Sequence, residues 1–297
     1  MRVFITGATG FVGPAVANAI ADAGHEVRVL ERKPGAWEEA GIRCQAAVQG
    51  DVTDSETMRR AVRDIDVVVH LVAIRQGKPE QFERVMVGGT RNLLAAAKEA
   101  DVRRFVLMSA LGVDEQTKDL VPFYNAKWME ELDTKASGLE HVIFRPSFIF
   151  GRDGGILPTF KKLAKLAPVT GIIGSGEQEI QPIWVEDVGA YYAQAIDKPE
   201  AANRTFELGG PDVLSWNEFW QRLRAVFGIR RRPTMHLPTG LMKIPAVVTE
   251  RLPGNIPLTR DLLKMLESGD NVVSNDDAVR TFGLPLVPLD EQLRRAT

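Results

Sequence analysis

Three glycines follow the first predicted strand and constrain the fold more than any other feature of the chain. Val3–Thr6 is a short apolar run typical of a strand, and Gly7, Gly10 and Gly13 come next, at the point where a helical pattern begins. Gly7 would permit a tight turn, Gly10 the close approach of a pyrophosphate, and Gly13 the close packing of the helix. The helix N terminus would offer free N–H groups to the phosphates. We therefore predict a Rossmann-type turn that binds a dinucleotide.

The first half of the chain alternates nearly continuous apolar runs with helical patterns, as expected for βαβ units around a parallel sheet covered on both faces. The predicted strands are Val3–Thr6, Glu26–Leu30, Arg43–Gln49, Val67–Val72, Arg104–Met108 and His141–Phe144. The predicted helices are Gly13–Ala23, Ser55–Arg63, Pro79–Ala100 and Phe123–Ser137. Asp54 stands where it can cap the second helix. The predicted fold class is α/β, a doubly wound parallel sheet with a smaller α/β C-terminal lobe.

Glycine and proline become denser after Gly151, and this change predicts a division of the chain. We expect an NAD(P)-binding domain over residues 1–151 and a smaller substrate or interaction lobe over 152–297, covering the carboxyl edge of the sheet. Ile180–Trp184 and Arg204–Leu208 look like strands that could return to the main sheet. The helices expected here are Thr159–Leu166, Val188–Ile196, Trp216–Phe227, Leu241–Arg251 and Thr259–Ser268. An aromatic stripe typical of core packing comprises Trp216, Phe219, Trp220 and Leu223.

The composition excludes several function classes. The 37 basic and 39 acidic residues give a net charge of −2, without the basic field that a general nucleic-acid binder needs. A single cysteine, Cys44, and four scattered histidines leave no disulfide within the chain and no metal site. Because the sequence opens on a predicted strand, we expect no signal peptide, and no apolar stretch approaches the ~18 residues of a membrane span. We expect a cytoplasmic protein without an integral membrane segment.

The residues at the end of the second strand decide which dinucleotide is favoured. An acid there would hold a ribose 2′-hydroxyl and favour NAD, whereas an arginine can accommodate a 2′-phosphate. We expect Glu31 to belong to the strand, which leaves Arg32 and Lys33 at the mouth of the loop and favours NADP over NAD. Asp51, at the end of the third strand, could accept a hydrogen bond from the adenine amino group or simply form a turn.

Eight segments carry a resemblance to a known family along nearly the whole chain. They are Thr6–Gly13, Gly50–Asp54, His70–Ala73, Gly89–Leu94, Phe105–Ala110, Phe144–Gly151, Ile183–Val188 and Phe206–Pro211. The chain resembles the extended and atypical short-chain dehydrogenase/reductases of the NAD-dependent epimerase/dehydratase type. It is especially similar to the branch that includes the 39-kDa-subunit-like proteins of respiratory complex I. These motifs are specific for the superfamily and much less specific for one substrate.

The resemblance implies a set of site residues. Ser109 matches a serine that polarises the substrate, and Lys127 matches a lysine that binds the nicotinamide ribose and lowers the pKa of a tyrosine acid/base four residues earlier. That tyrosine position holds Phe123. Either Tyr124 reaches the nicotinamide instead, or the proton relay is absent. The implied cofactor-binding residues are Gly7, Thr9, Gly10, Phe11, Val12, Gly13, Arg32, Lys33, Asp51, Val52, Leu71, Val72, Ala73, Lys127 and Pro146.

A second departure from the family pattern lies in the long helix. Val85–Val87 is apolar where the family often has an asparagine that anchors a relay water, and Met86 is more simply core filler. Two functions therefore stay open. The first is an NADP-dependent oxidoreductase or epimerase-like enzyme with a small-molecule substrate and a degraded catalytic tyrosine. The second is a weakly active or inactive NADP-binding structural, assembly or redox-sensing protein. A homo-oligomer or a complex subunit is compatible with both, and Leu241–Val248 is a candidate interface.

Overall fold

The computed structural model describes residues 1–74, 76–230, 232–238 and 260–297. The strands are β1 (Arg2–Thr6), β2 (Glu26–Glu31), β3 (Ala46–Gln49), β4 (Val67–His70), β5 (Arg104–Met108), β6 (Glu140–Pro146), β7 (Ile149–Phe150), β8 (Thr170–Ile173), β9 (Glu179–Ile180), β10 (Ile183–Trp184), β11 (Arg204–Leu208), β12 (Leu214–Ser215) and β13 (Thr234–Leu237). The α-helices are α1 (Gly13–Asp22), α2 (Ala36–Glu39), α3 (Ser55–Ala61), α4 (Pro79–Phe82), α5 (Gly88–Glu99), α6 (Pro122–Ala136), α7 (Leu157–Leu166), α8 (Val185–Ala195), α9 (Trp216–Val226), α10 (Arg260–Glu267), α11 (Asp276–Phe282) and α12 (Leu289–Arg295). A π-helical turn (Glu83–Val87) lies between α4 and α5, and a 3₁₀ turn (Pro199–Ala201) precedes β11.

Seven of the described strands form one parallel sheet in the order β11-β6-β5-β4-β1-β2-β3. The chain passes from β1 outward to β3, returns to place β4 on the other side of β1, and continues outward to β6. The strand order therefore reverses between β1 and β4. In open α/β sheets such a reversal leaves a crevice at the carboxyl ends of the strands, where ligands bind. The predicted Rossmann-type fold is confirmed.

The chain divides into two compact units and crosses between them five times. The first unit contains Met1–Pro146, Val185–Leu208 and Ser274–Pro285, and the second contains Ser147–Trp184, Gly209–Val273 and Leu286–Thr297. This division is less simple than one boundary after Gly151. β11 and α11 belong with the large sheet although they follow the boundary in sequence. The predicted roles of the two regions remain predictions.

The core of the first unit shows why its strands are apolar throughout. Phe4, Val68 and Phe105 extend from three neighbouring strands and are buried with Met58 of α3 and Leu93 of α5. Residues that alternate with them along the strands are also buried, so both faces of the sheet are covered. Asp54 caps the N terminus of α3, as predicted. The Asp54 carboxylate accepts hydrogen bonds from the amides of Glu56 and Thr57, at 3.0 and 3.3 Å.

Several element bounds differ from the sequence-based predictions. β3 begins at Ala46 rather than Arg43, and β4 ends at His70 rather than Val72. The long helix predicted over Pro79–Ala100 exists, but the π-helical turn interrupts it around Met86. Because a π turn adds one residue to a helical turn, the apolar periodicity does not reveal it. Such turns occur frequently at functional sites.

The second unit consists of short strand pairs and helices around an aromatic cluster. In this unit β10 pairs with β7, β12 with β9 and β13 with β8. The predicted strand Ile180–Trp184 is therefore wrong as one strand of the main sheet: Pro182 divides it into β9 and β10, because proline donates no ladder hydrogen bond. Arg204–Leu208, by contrast, is β11 and joins the main sheet as predicted. The stripe on α9 is buried as predicted, around Phe219 and Trp220.

Three of the sequence-based assignments fall partly or wholly outside the described residues. The predicted helix Leu241–Arg251 and the candidate interface Leu241–Val248 lie outside the described residues. The helix predicted over Thr259–Ser268 is observed as α10 over Arg260–Glu267.

Candidate functional site

The glycine turn after β1 adopts a backbone that side chains would obstruct. Gly7 has φ of +77°, and a Cβ atom there would lie 2.8 Å from the carbonyl carbon of Leu71. A Cβ atom at Gly13 would lie 2.0 Å from the Ala8 carbonyl oxygen. The Gly10 amide donates to the Gly7 carbonyl at 3.0 Å and closes the turn. Glycine is thus required at Gly7 and Gly13 by backbone approach.

The first turn of α1 is free of protein caps. Val12 is the N-cap residue and makes no side-chain hydrogen bond, while Pro14 occupies the first turn, where its missing N–H costs nothing. Thr9, Gly10 and Phe11 are exposed, Phe11 by 37%. A helix N terminus with uncapped amides and an exposed glycine loop is suited to an anionic group, since both the N–H groups and the helix dipole favour negative charge. The turn fits the pyrophosphate of a dinucleotide.

β4 ends beside this turn. The Leu71 amide donates to the Thr6 carbonyl at 3.0 Å, which continues the β1–β4 pairing to the turn itself. Val72 is half-buried against the core, and Ala73 is exposed. The loop that follows β4 therefore passes directly next to the glycine turn, at the reversal of strand order.

At the end of β2, one acidic residue and the two basic residues that follow it have different surroundings. Glu31 is the last residue of the strand, as predicted, and its carboxylate accepts from the amides of Gly35 and Trp37 at 3.3 and 3.4 Å. Lys33 forms an exposed ion pair with Glu39 at 3.0 Å. Arg32 is exposed and makes no ion pair within the described part of the chain. The Glu31 carboxylate is thus hydrogen-bonded within its own loop, whereas the Arg32 guanidinium is available to bind a ligand.

Asp51 and Val52 follow β3 and have different environments. One Asp51 carboxylate oxygen accepts from the amide and hydroxyl of Thr53, at 2.9 and 2.8 Å, so the turn-forming interpretation of Asp51 is realised. The side chain of Val52 packs in the core of the first unit, and its carbonyl accepts from Asn92 at 3.1 Å. Val52 can contact a ligand only through its backbone.

Ser109 lies at the end of β5 beside a buried charge pair. Its amide donates to the Phe144 carbonyl at 2.7 Å, and its side chain is buried. Glu131, fully buried on α6, forms a bidentate pair with Arg145 of β6 at 2.8 Å for both bonds. Burial opposes the charge of Glu131, but the hydrogen bonds from Arg145, together with the proximity of the Ser109 hydroxyl, outweigh it and lower the pKa of the carboxyl. Pro146 ends β6, and its carbonyl accepts from the Leu111 amide at 3.1 Å.

Lys127 points into the protein. Its ammonium group donates to the Met108 carbonyl at 2.7 Å and pairs with Glu130 at 2.9 Å. The Lys127 side chain is 2% exposed and that of Glu130 is fully buried. The Lys127 ammonium therefore contacts the last residue of β5, which directly precedes Ser109. Its charge, however, is matched by a carboxylate on the same helix.

A chain of buried polar groups continues from this ion pair to the glycine turn. Thr90 of α5 donates to Glu130 at 3.0 Å, His70 Nε2 lies 2.9 Å from the Thr90 hydroxyl, and His70 Nδ1 lies 2.6 Å from the Thr6 hydroxyl. Burial, with the Lys127 charge as a second cause, lowers the pKa of His70 to about 3, so the imidazole is neutral. Burial raises the pKa of Glu130 in spite of Lys127 and Thr90.

The aromatic residues at the start of α6 face apolar surroundings. Phe123 packs on an apolar cluster that includes Phe82, Met86 and Ala126. Tyr124 is buried, and a Cβ atom at Gly112 would lie 3.0 Å from its hydroxyl. Burial raises the pKa of Tyr124 to about 12, and the Asp114 charge acts in the same direction. Phe123 thus packs in an apolar cluster, whereas the Tyr124 hydroxyl lies beside Gly112 and near the Asp114 charge. Among the described hydrogen bonds, none joins Tyr124 to Lys127.

Sequence reasoning identified the strand ends but missed the buried chain. Glu130, Thr90, His70 and Thr6 were not predicted as part of the site. The one local signal is the i,i+3 spacing of Lys127 and Glu130, which puts both on one helix face. The other contacts join residues 20 to 64 positions apart and have no sequence signature.

In the described ranges, no helix is long and apolar enough to span a membrane. The same residues contain no group of three or more His, Cys, Asp or Glu side chains that could hold a metal ion.

Known proteins are similar to this chain along almost all of its length. A mitochondrial NADH dehydrogenase [ubiquinone] 1 alpha subcomplex subunit 9 of Rattus norvegicus is 26% identical, over 98% of this chain and 79% of the relative. A 2-alkyl-3-oxoalkanoate reductase of Stenotrophomonas maltophilia (strain K279a) is 25% identical, over 99% and 98%. An NADPH-dependent quinone oxidoreductase of Escherichia coli, solved with NADPH, shares the fold with a TM-score of 0.80 at 19% identity, over 98% of each chain.

These similarities agree with the resemblance found in the motifs, which is confirmed: the chain is an atypical, epimerase-like short-chain dehydrogenase/reductase, and its relatives include reductases and a complex I subunit. Residues 7–199 match the NAD(P)H-binding family, and the chain belongs to this family.

Proposed function

We propose that this chain binds NADP(H) in preference to NAD(H). The observation that carries this proposal is the division of roles at the end of β2. The Glu31 carboxylate is occupied by the amides of Gly35 and Trp37, whereas Arg32 is exposed and unpaired within the described residues. A carboxylate held by its own loop is a poor partner for a ribose 2′-hydroxyl, and a free guanidinium is a strong partner for a 2′-phosphate.

The residues that would hold the cofactor lie at the carboxyl ends of β1 to β6. When bound, NADP(H) supplies a hydride or accepts one. The turn from Gly7 to Gly13 would bind the pyrophosphate through backbone amides, and Arg32 would bind the 2′-phosphate. Asp51 has one carboxylate oxygen left for the adenine amino group. The remaining backbone and surface contacts are assigned to Thr9, Phe11, Val12, Lys33, Val52, Leu71, Val72, Ala73 and Pro146.

Among the described residues at the start of α6 and around Met86, the family's proton donor has no clear equivalent. Phe123 has no hydroxyl, the surroundings of Met86 are apolar, and Tyr124 has a pKa of about 12 in a buried position. A residue that holds its proton so firmly is a weak general acid or base near neutral pH. We therefore propose an oxidoreductase that acts on small acceptors whose proton comes from water rather than from a tyrosine, with Ser109 positioned to contact an acceptor oxygen.

A second candidate function is an NADP(H)-binding protein without turnover, in which the cofactor stabilises the fold or an assembly. The apolar cluster around Phe123 favours it, because the position of the family's proton donor is here occupied by a ring that packs in this cluster. The location in the cell, the oligomeric state and any protein partner remain predictions.

Calorimetric titration with NADPH and NADH tests the cofactor preference. We expect NADPH to bind at least tenfold more tightly, and Arg32→Ala to weaken NADPH binding by about tenfold to a hundredfold while NADH binding changes less than twofold. Arg63→Ala is the matched control, since Arg63 is also exposed. It lies in the turn before β4, at the amino ends of the strands and therefore away from the proposed cofactor site at their carboxyl ends. NADH binding that is tighter than NADPH binding and indifferent to Arg32→Ala would contradict the proposal.

Turnover separates the two candidate functions. NADPH oxidation is measured with a panel of quinone and carbonyl acceptors, beside the melting temperature with and without NADPH. Acceptor-dependent oxidation supports the oxidoreductase. Oxidation at the background rate together with a large rise of melting temperature supports the cofactor-stabilised protein.

A further inference from the structure

Lys127 has a partner that the family pattern does not include, and the two residues are adjacent on the inner face of α6. We propose that Glu130 is a positioning residue that holds Lys127 against the Met108 carbonyl and so withholds its ammonium group from the cofactor. This inference rests on the proposed NADP(H) binding. It assigns Glu130 a role in setting cofactor affinity, and it removes Lys127 from the set of cofactor ligands.

The geometry leaves Lys127 little freedom. Its ammonium group has two short contacts, 2.7 Å to the Met108 carbonyl and 2.9 Å to Glu130. The side chain is 2% exposed, so a movement toward a ligand would have to break an ion pair that is shielded from water. Leaving a buried carboxylate without its partner is costly, because the charge loses both its hydration and its counter-ion.

Glu130 is itself fixed from the other side. Its second carboxylate oxygen accepts from the Thr90 hydroxyl at 3.0 Å, and Thr90 contacts His70, which contacts Thr6. All of these side chains are fully buried. Glu130 therefore cannot follow Lys127 outward without breaking a chain of contacts that reaches the strand before the glycine turn.

The neighbouring carboxylate serves as an internal comparison. Glu131 is the next residue on α6, is equally buried, and forms its close pair with Arg145 at 2.8 Å, with a further contact to Lys135 at 3.1 Å. It has no contact with Lys127 among the described ion pairs. Two adjacent glutamates thus have the same chemistry and burial, but only one of them holds the lysine.

The affinity for NADPH distinguishes the proposed role of Glu130 from a purely structural one, because loss of a purely structural contact would not raise this affinity. In Glu130→Gln the carboxylate charge is removed and the Lys127 ammonium is released, so we expect NADPH to bind about threefold to tenfold more tightly than in the natural chain. Adding Lys127→Met to this variant should cancel the gain, and Lys127→Met alone should change the affinity less than twofold. Glu131→Gln is the matched control and should give no gain.

Melting temperatures test the pair independently of the cofactor. Lys127→Met and Glu130→Gln should each lower the melting temperature, by roughly 10 °C, and the double variant should lose much less than the sum. If Glu130→Gln is too unstable to titrate, the comparison of Lys127→Met with the natural chain still decides whether Lys127 binds NADPH.

The outcomes separate this inference from the proposed function. The inference is overturned if the natural chain binds NADPH and Lys127→Met weakens that binding tenfold, or if folded Glu130→Gln shows no gain. A chain that binds NADPH in none of these forms contradicts the proposed function and the inference that rests on it. Binding that appears only in Glu130→Gln supports the inference most strongly.

Discussion

The glycine turn and the start of α6 both lie at the carboxyl ends of the central strands, but they keep the family pattern to different degrees. The turn retains each glycine that the backbone requires, with φ of +77° at Gly7 and no room for a side chain at Gly13. The start of α6 has Phe123 in the tyrosine position, and Lys127 is paired with Glu130. One region matches the pattern completely, and the other matches it only in part.

The difference reflects how the two regions perform their tasks. The binding proposed for the turn uses backbone amides, so it depends on a conformation that is encoded by glycines whose replacement would also disturb the fold. Proton transfer depends on single side-chain atoms, and these can be lost while the helix stays intact. Cofactor binding is therefore coupled to folding in this chain, whereas the proton relay is not.

The largest expected effect is on the glycine turn. Gly13→Ala would place a methyl group 2.0 Å from the Ala8 carbonyl oxygen, a backbone atom that cannot rotate away. We expect a loss of about 3 kcal/mol or more in the free energy of unfolding, together with loss of NADPH binding, measured by denaturant titration and calorimetry.

Gly88→Ala is the control for this change. Gly88 has helical φ of −62°, and a Cβ atom there would meet its nearest neighbour at 3.4 Å. Alanine should be neutral or stabilising by up to about 1 kcal/mol. An equal loss of stability in Gly13→Ala and Gly88→Ala would show that the glycine turn is no more sensitive to a side chain than the rest of the first unit.

The second effect concerns His70, which connects the two regions. Its pKa is about 3 in the folded protein and 6.5 in an unfolded chain. Between these values the unfolded state binds a proton that the folded state refuses. Stability due to this group is therefore complete above pH 6.5 and falls as the pH decreases, by about 1.4 kcal/mol per pH unit.

The measurement is the free energy of unfolding between pH 7 and pH 4.5, in the natural chain and in His70→Gln. Other groups, such as His141 with its lowered pKa and Glu130 with its raised pKa, also titrate. The difference between the two chains isolates His70. Parallel pH profiles would show that the buried chain does not keep this imidazole neutral.

A smaller effect is expected when the missing hydroxyl is restored. Phe123→Tyr puts a tyrosine four residues before Lys127, but Glu130 still holds the lysine. We expect acceptor-dependent NADPH oxidation to rise less than threefold, in a steady-state assay. A rise of a hundredfold or more would indicate that the region is one substitution away from the family chemistry.

Tyr124→Phe should have the smallest effect. The hydroxyl has a raised pKa of about 12 and lies beside Gly112, away from Lys127's two contacts. We expect turnover to remain within twofold and the melting temperature to change by about 2 °C or less. Turnover abolished by this substitution would establish Tyr124 as the proton donor. The start of α6 would then have kept a proton relay after all.

The fold was predictable wherever local sequence determines the backbone. The strand before Gly7, the cap at Asp54 and the position of Glu31 at the end of β2 follow from glycine spacing, capping chemistry and apolar runs. The segment Ile180–Trp184 was assigned to the wrong sheet, because the pattern of apolar residues does not state which partner a short strand finds. The π-helical turn at Glu83–Val87 was hidden inside a continuous helical pattern.

The candidate site was predictable in its positions but not in its connections. Lys127 and Ser109 were predicted from the family resemblance, and in the structure the Lys127 ammonium contacts Met108, which directly precedes Ser109. The ion pair of Lys127 with Glu130 depends on which face of α6 is turned inward. The contacts of Thr90 with Glu130 and His70 depend on the packing of α5, which no local pattern encodes. The cofactor-binding roles stay predictions until binding is measured.

The return of the chain at Ser274–Pro285 has a consequence for how the protein is made. Phe282 of α11 packs against Phe144, Tyr191 and Phe206, and Arg204 of β11 is paired with Asp277. The unit that contains the glycine turn therefore lacks part of its core until α11 has been synthesised, well after β6, α8 and β11. Until then Phe144, Tyr191 and Phe206 lack their contact with Phe282, and a chaperone can act on this exposed apolar surface.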